Sequence, residues 1–441
     1  MQMRFGIPLR AAVLALSLAW GQGVLAACPA WTEGTSYQAG DVVSYSHANY
    51  TALVAHTAYV GANWNPAATP TLWGAGGTCS GGDPTPPTPP TPPTPPSPPP
   101  GNTVPFAKHA LVGYWHDFAN PSGPAFPLSQ VSADWDVVVV AFADDAGNGN
   151  VSFTLDPGAG SQAQFIQDIK ALQAKGKKVV LSLGGQNGSV TLNNATQVQN
   201  FVNSLYGILT QYGFDGIDLD LESGSGIVVG APVVSNLVSA VKQLKAKVGA
   251  SFYLSMAPEH PYVQGGFVAY GGNWGAYLPI IDGLRDDLSV IHVQYYNNGG
   301  LYTPYSNGAL GEGSVDMLVG GSKMLIEGFP IANGASGSFQ GLRPDQVAFG
   351  VPSGRSSANS GFVTPDTVAK ALGCLTALQG CGSVKPLQAY PTFRGVMSWS
   401  INWDRHDGYN FSTPVAASLH QLPVANAASM KKAAGKKPAA R

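Results

Sequence analysis

Charge is scarce in this chain. Only 11% of its 441 residues are Asp, Glu, Lys or Arg, and the net charge at pH 7 is −2. A nucleic-acid partner calls for a broad basic face, so that class is excluded. Cysteine and histidine are few as well, at four and eight. Neither cysteine pair has Cys-x-x-Cys spacing and no histidine cluster accompanies them, so no metal and no other cofactor is expected. Long apolar runs are missing: the best, Ala11 to Trp20, is too short to span a bilayer. Against these shortages stand 44% hydrophobic residues, 55 Gly and 35 Pro. The first is enough for a full core, and the others require a repetitive or loop-rich part.

The chain divides itself. Arg4 and Arg10, the short apolar run and the small residues up to Ala27 read as a signal peptide over residues 1–27. The expected product is a secreted protein with no membrane segment in its mature form. Leu25-Ala26-Ala27-Cys28 also fits a lipoprotein box that would acylate Cys28, and this is the lesser alternative. In the favoured reading Cys28 and Cys79 close a small aromatic module over 28–79, and Cys374 and Cys381 form a second close pair. Four such cysteines fit an oxidising compartment. A linker over 80–103 follows, whose tract from Asp83 to Pro100 reads DPTPPTPPTPPTPPSPPP. Polyproline II at ~3.1 Å per residue makes it a semi-rigid spacer of roughly 50 Å. A large domain is expected over 104–422, then a basic disordered tail over 423–441.

The module carries Trp31, Tyr37, Tyr45, Tyr50, Tyr59, Trp64 and Trp73. So small a unit cannot enclose every ring, and exposed rings stack on sugar faces. Alternation in Asp41 to Tyr45 and Tyr50 to Val54 predicts short strands. The pattern CPAW…YQAGDVVSY…YTAL…GANWNP…LW…C closely resembles the chitin-binding modules of carbohydrate-binding family 5/12. That resemblance implies a chitin surface as ligand. Trp64 and Tyr59 are the candidate platform, with Trp31 and Trp73 assigned to the core.

The large domain alternates strand and helix. Strands are predicted at 111–114, 137–142, 178–183, 216–221, 252–256, 290–296, 347–351 and 395–400, with helical patterns between them. This predicts an α/β fold, a (β/α)₈ TIM barrel, with chemistry at the C-terminal strand ends. A doubly wound sheet is the runner-up, but no Gly-x-Gly-x-x-Gly turn follows the first strand.

The fourth strand carries the strongest signal. In Asp215-Gly216-Ile217-Asp218-Leu219-Asp220-Leu221-Glu222, alternation puts Asp218, Asp220 and Glu222 on one face, roughly 6.5 to 7 Å apart. Asp215 has the opposite parity. Carboxylates crowded inside a barrel should raise at least one pKa, which suits a general acid. The segment matches the Asp-x-x-Asp-x-Asp-x-Glu signature of glycoside hydrolase family 18, the chitinases. Ser182-Leu183-Gly184-Gly185, Gln294-Tyr295-Tyr296-Asn297 and Gly395 to Ser400 match three further motifs of that family, the second in its hevamine-like form.

The resemblance implies roles. Glu222 would protonate the glycosidic oxygen, Asp220 would orient the substrate acetamido group, and Asp218 would share a proton with Asp220. Tyr296 would donate to the acetamido oxygen, and Trp399 would floor the sugar site. Gln294 and Ser182 are supporting candidates, while Met256, Glu259 and Trp115 are weaker cleft candidates. Cis peptides at Ala141–Phe142 and Trp399–Ser400 are also implied. The segment 353–394 holds a loop and one helix rather than the α+β insertion of deep-groove enzymes, so an open cleft and internal cleavage are expected. The expected activity is a monomeric secreted endo-chitinase that acts on chitin and chito-oligosaccharides by substrate-assisted retention. An endo-β-N-acetylglucosaminidase on glycoproteins and an inactive chitin-binding lectin are the alternatives.

Overall fold

The computed structural model describes residues 28–46, 48–58, 64–77 and 106–423. The signal segment, Tyr59, Cys79, the proline tract and the tail from 424 onward lie outside the described residues. The chain separates into two compact units, Met1–Pro98 and Pro99–Arg441.

In the first unit Val42–Tyr45 pairs antiparallel with Ala48–Ala52, which pairs with Trp73–Ala75. Tyr37, Val43, Ala52, Ala58 and Trp73 form its small core, with Trp31 packed against it. Trp73 is central: Tyr37 and His56 meet it edge-on at 4.9 Å, and its indole N–H donates to the Trp64 carbonyl at 3.2 Å. Trp31 and Trp73 therefore lie where the sequence placed them. Trp64 keeps 36% of its surface exposed. Cys28 is buried, and its expected partner Cys79 lies outside the described residues.

The second unit is a closed barrel of parallel strands. In chain order these are Ala110–His116, Val137–Gly147, Lys178–Gly185, Gly216–Leu221, Tyr253–Met256, Val290–Gln294, Val347–Pro352 and Gly395–Trp399. Each pairs with the next, and the eighth returns to the first through Gly395↔Ala110 and its successors. Alternation separates two apolar layers. Val112, Tyr114, Val139, Val180 and Tyr253 fill the interior, while Leu111, Val138, Leu181, Leu219 and Val293 meet the surrounding helices. Helices Gln162–Ala174, Ala195–Tyr212 and Pro365–Ala377 begin at Ser161, Asn194 and Thr364, whose side chains accept backbone N–H groups of the first turn.

Three features were not anticipated. The second strand runs on to Gly147 and folds back as a hairpin with Asn150–Ser152. The sixth strand stops at Gln294, and Asn297 turns the chain at φ 63°. Short helices at Ile401–His406 and Ser412–His420 close the chain behind the eighth strand. Cys374 and Cys381 are disulfide-bonded, with Cα atoms 4.7 Å apart. Among the described residues no helix is long and apolar enough to cross a membrane.

Candidate active site

The C-terminal strand ends open into a cleft of about 950 Å³, lined by residues from all sides of the ring, among them Tyr114, Asp220, Glu222, Glu259, Gln294, Tyr296 and Trp399. The fourth strand supplies its acids because its register fixes their neighbours. Asp218 lies between Ser182 and Ser255, and Asp220 lies beside Gly184. At Gly184, which sits at φ +109°, an added Cβ would come within 2.1 Å of the Asp220 carbonyl. The Ser-Leu-Gly-Gly motif is thus a requirement for close backbone approach.

Asp218 is fully buried and collects hydroxyl donors from three strands. Tyr114 and Ser182 donate to Oδ2 at 2.6 and 2.7 Å, and Ser255 donates to Oδ1 at 2.6 Å. These donors reach both of its oxygens, and the charge of Asp218 in turn raises Asp220. Tyr114 and Ser255 escaped the sequence reading, although both have the inward parity of their strands.

Above this knot Gln294 bridges the two upper acids. Its side-chain N–H group donates to Asp220 Oδ1 at 2.9 Å, to Glu222 Oε1 at 3.2 Å and to the Ala257 carbonyl at 2.9 Å. Burial holds the Asp220 carboxyl well above its usual range, reinforced by the charges of Glu222, Asp218 and Glu259 and opposed by the Gln294 amide. Burial also pushes Glu222 up to about 7, with Gln294 opposing and Glu259 adding to the rise. A carboxyl at that value keeps its proton at mildly acidic pH, as a general acid requires. A general acid at this position would work protonated, so with Glu222 in that role kcat/KM should fall as pH rises through about 7. A pH–rate profile on a soluble oligosaccharide checks this, and an alkaline limb below pH 5.5 would contradict it.

The opposite wall is aromatic. Trp399 stacks on Phe142 at 6.0 Å and on His116 at 5.6 Å, with interplanar angles of 18° and 29°. The Ala141–Phe142 and Trp399–Ser400 peptides are both cis, as expected. Tyr296 lines the cleft, and burial followed by the charges of Asp220 and Glu222 holds its hydroxyl protonated. Glu259 also lines the cleft, its Oε1 accepting from Asn298 at 2.8 Å.

Two candidates do not belong here. Met256 is buried in the outer layer with Leu254, on the far side of the fifth strand from Ser255. Trp115 likewise points outward and stacks on Phe165 at 5.8 Å. Neither reaches the cleft, because each has outward parity. Asp215 also sits outside it: it accepts from Lys178, the Val179 N–H and Gln173, and so ties the base of the fourth strand to the third.

Comparison with known proteins agrees with this geometry. The family model for glycosyl hydrolases family 18 matches residues 110–316, and that for carbohydrate-binding module family 5/12 matches residues 30–74. A crystal structure of a family GH18 chitinase from Chromobacterium violaceum is 86% identical, covering 90% of this chain and 100% of that one, with a TM-score of 0.71. Chitinase Chi52 of Paenibacillus xylanexedens is 33% identical over 92% of this chain and 95% of its own length. Exochitinase 1 of Streptomyces olivaceoviridis is 42% identical over 70% of this chain and 56% of its own. With four motifs at the strand ends, and with the Chromobacterium structure and Chi52 both matched along nearly their whole length, the chain belongs to the glycosyl hydrolases of family 18 and bears a carbohydrate-binding module of family 5/12.

Proposed function

We propose that this glycoside hydrolase is a secreted endo-chitinase that cleaves β-1,4-linked N-acetylglucosamine chains with the substrate's own acetamido group as nucleophile. The observation that carries the mechanism is that Asp220 and Glu222 rise from one strand face and share one amide, that of Gln294. Two carboxylates that flank a sugar can act as acid and nucleophile, or as acid and base. A pair on one wall leaves the second face to the substrate. Glu222 gives its proton to the glycosidic oxygen. Asp220 holds the acetamido N–H, and Tyr296 donates to the acetamido oxygen as that oxygen attacks C1. Trp399 carries the sugar face. Water then opens the cyclic ion from the side the leaving group left, so configuration is retained.

Internal cleavage is supported by the chain between the seventh and eighth strands, where residues 353–394 contain the helix Pro365–Ala377 and, among the described residues, no strand. That segment therefore carries no strand-bearing insertion to deepen the cleft, and it lines the rim with Ser356, Ser357, Ala358 and Asn359. One chain supplies every group named, as a monomer requires, and the disulfide of Cys374 and Cys381 fits secretion. NMR of the first products tests the mechanism. The β-anomer should appear first at new reducing ends, and early α-anomer would refute it.

The module adds local concentration at a surface rather than chemistry. Removing residues 28–100 should lower activity on crystalline chitin several-fold and leave short soluble oligomers nearly unaffected. Equal losses on both would show that the module supports the barrel's folding instead.

A further inference from the structure

Among the described residues the cleft is lined by Asp144, Asp145, Asp220, Glu222 and Glu259, and by no Lys, Arg or His. Most of these acids already have work. Asp220 and Glu222 are bridged by Gln294, and Asp145 accepts from Ser189, Thr191 and the Gly147 N–H. Glu259 differs. It stands beside the acid without belonging to the fourth-strand motif, and its charge reaches both Asp220 and Glu222. Asn298 fixes one of its oxygens, and it makes no ion pair among the described residues.

Its place in the ring says which sugar it meets. The unit that is attacked rests on Trp399, at the end of the eighth strand, while Glu222 rises across the ring at the end of the fourth. The leaving oxygen and the sugar bonded to it therefore lie on the side of the fourth and fifth strands. Glu259 follows the fifth strand directly, three residues past Met256. A neutral N-acetylglucosamine offers this carboxylate one amide N–H. A glucosamine in the same position offers an ammonium.

We propose that Glu259 is a specificity-determining residue that, on a partly deacetylated chain, favours a cationic glucosamine over N-acetylglucosamine as the leaving-group unit. This rests on the chitinase reading above, because the attacked unit must still carry its acetyl group. A partly exposed charge pair of this kind discriminates by about two- to five-fold. The preference weakens as salt rises.

The test is hydrolysis of a half-acetylated chitosan by the full chain at mildly acidic pH, where the sugar amine is protonated, with both new ends identified by NMR and mass spectrometry. New non-reducing ends should be enriched in glucosamine two- to five-fold over the polymer's composition. Glu259→Gln keeps a group for Asn298 to bond but removes the charge, and should return those ends to the polymer's composition, whatever it does to the rate. Wild-type ends that mirror the polymer, or enrichment that survives Glu259→Gln, would overturn the proposal. Glucosamine at new reducing ends would instead refute the substrate-assisted reading, so the two failures are read at different ends.

Discussion

Glu222→Gln should lower kcat on a soluble oligosaccharide by about 10² or more while binding to chitin persists. The amide keeps the shape of the side chain and can still accept from Gln294, which reaches Glu222 Oε1 at 3.2 Å. What it lacks is a proton to give. The leaving group is a sugar alkoxide, a poor one unless it is protonated as the bond breaks. The native site prepares for that by burying the carboxyl, which lifts it to about 7. Steady-state rates beside a pull-down on insoluble chitin read the two consequences separately. Activity within a few fold of wild type would mean that another group is the acid.

The second large effect concerns the substrate. Removing every acetyl group removes the nucleophile, and Asp220 and Glu222, which rise from one wall and share one amide, do not flank the sugar to replace it. An intramolecular nucleophile can supply effective molarities of 10⁵ M or more, so its loss is expected to slow cleavage by at least about 10³-fold. Fully deacetylated chitosan should thus be almost inert, although its cationic units suit an acidic cleft. A thiazoline mimic of the cyclic ion should inhibit. Brisk cleavage of the deacetylated polymer, followed by the release of reducing ends, would leave the acid in place and refute the nucleophile.

Most of the barrel was legible because each strand is a short apolar run followed by a helical period. The fourth strand has the bounds Gly216–Leu221 read from sequence. Where the reading failed, alternation had been set aside. Met256 shares parity with outward Leu254, and Trp115 shares it with outward Leu111, so both could have been excluded. The same rule would have found Tyr114 and Ser255 as inward polar partners of Asp218. Other features had no local signal. The hairpin at Asn150–Ser152 depends on pairing with a strand extension, and the three-way donation by Gln294 joins residues from three strand ends. Such contacts are products of register, which a single strand does not carry.

The donors around Asp218 come from the first, third and fifth strands, and the acid itself from the fourth. They bind the barrel's floor into one unit that mutation cannot sample piecemeal. Losing any one hydroxyl leaves a buried oxygen short of a partner, and the cost depends on whether the other donors remain. Substitutions at Tyr114, Ser182 and Ser255 should therefore show strong epistasis, a second change doing less harm once the first has loosened the acid. A library that varies all three together would recover functional combinations that single-site scanning discards.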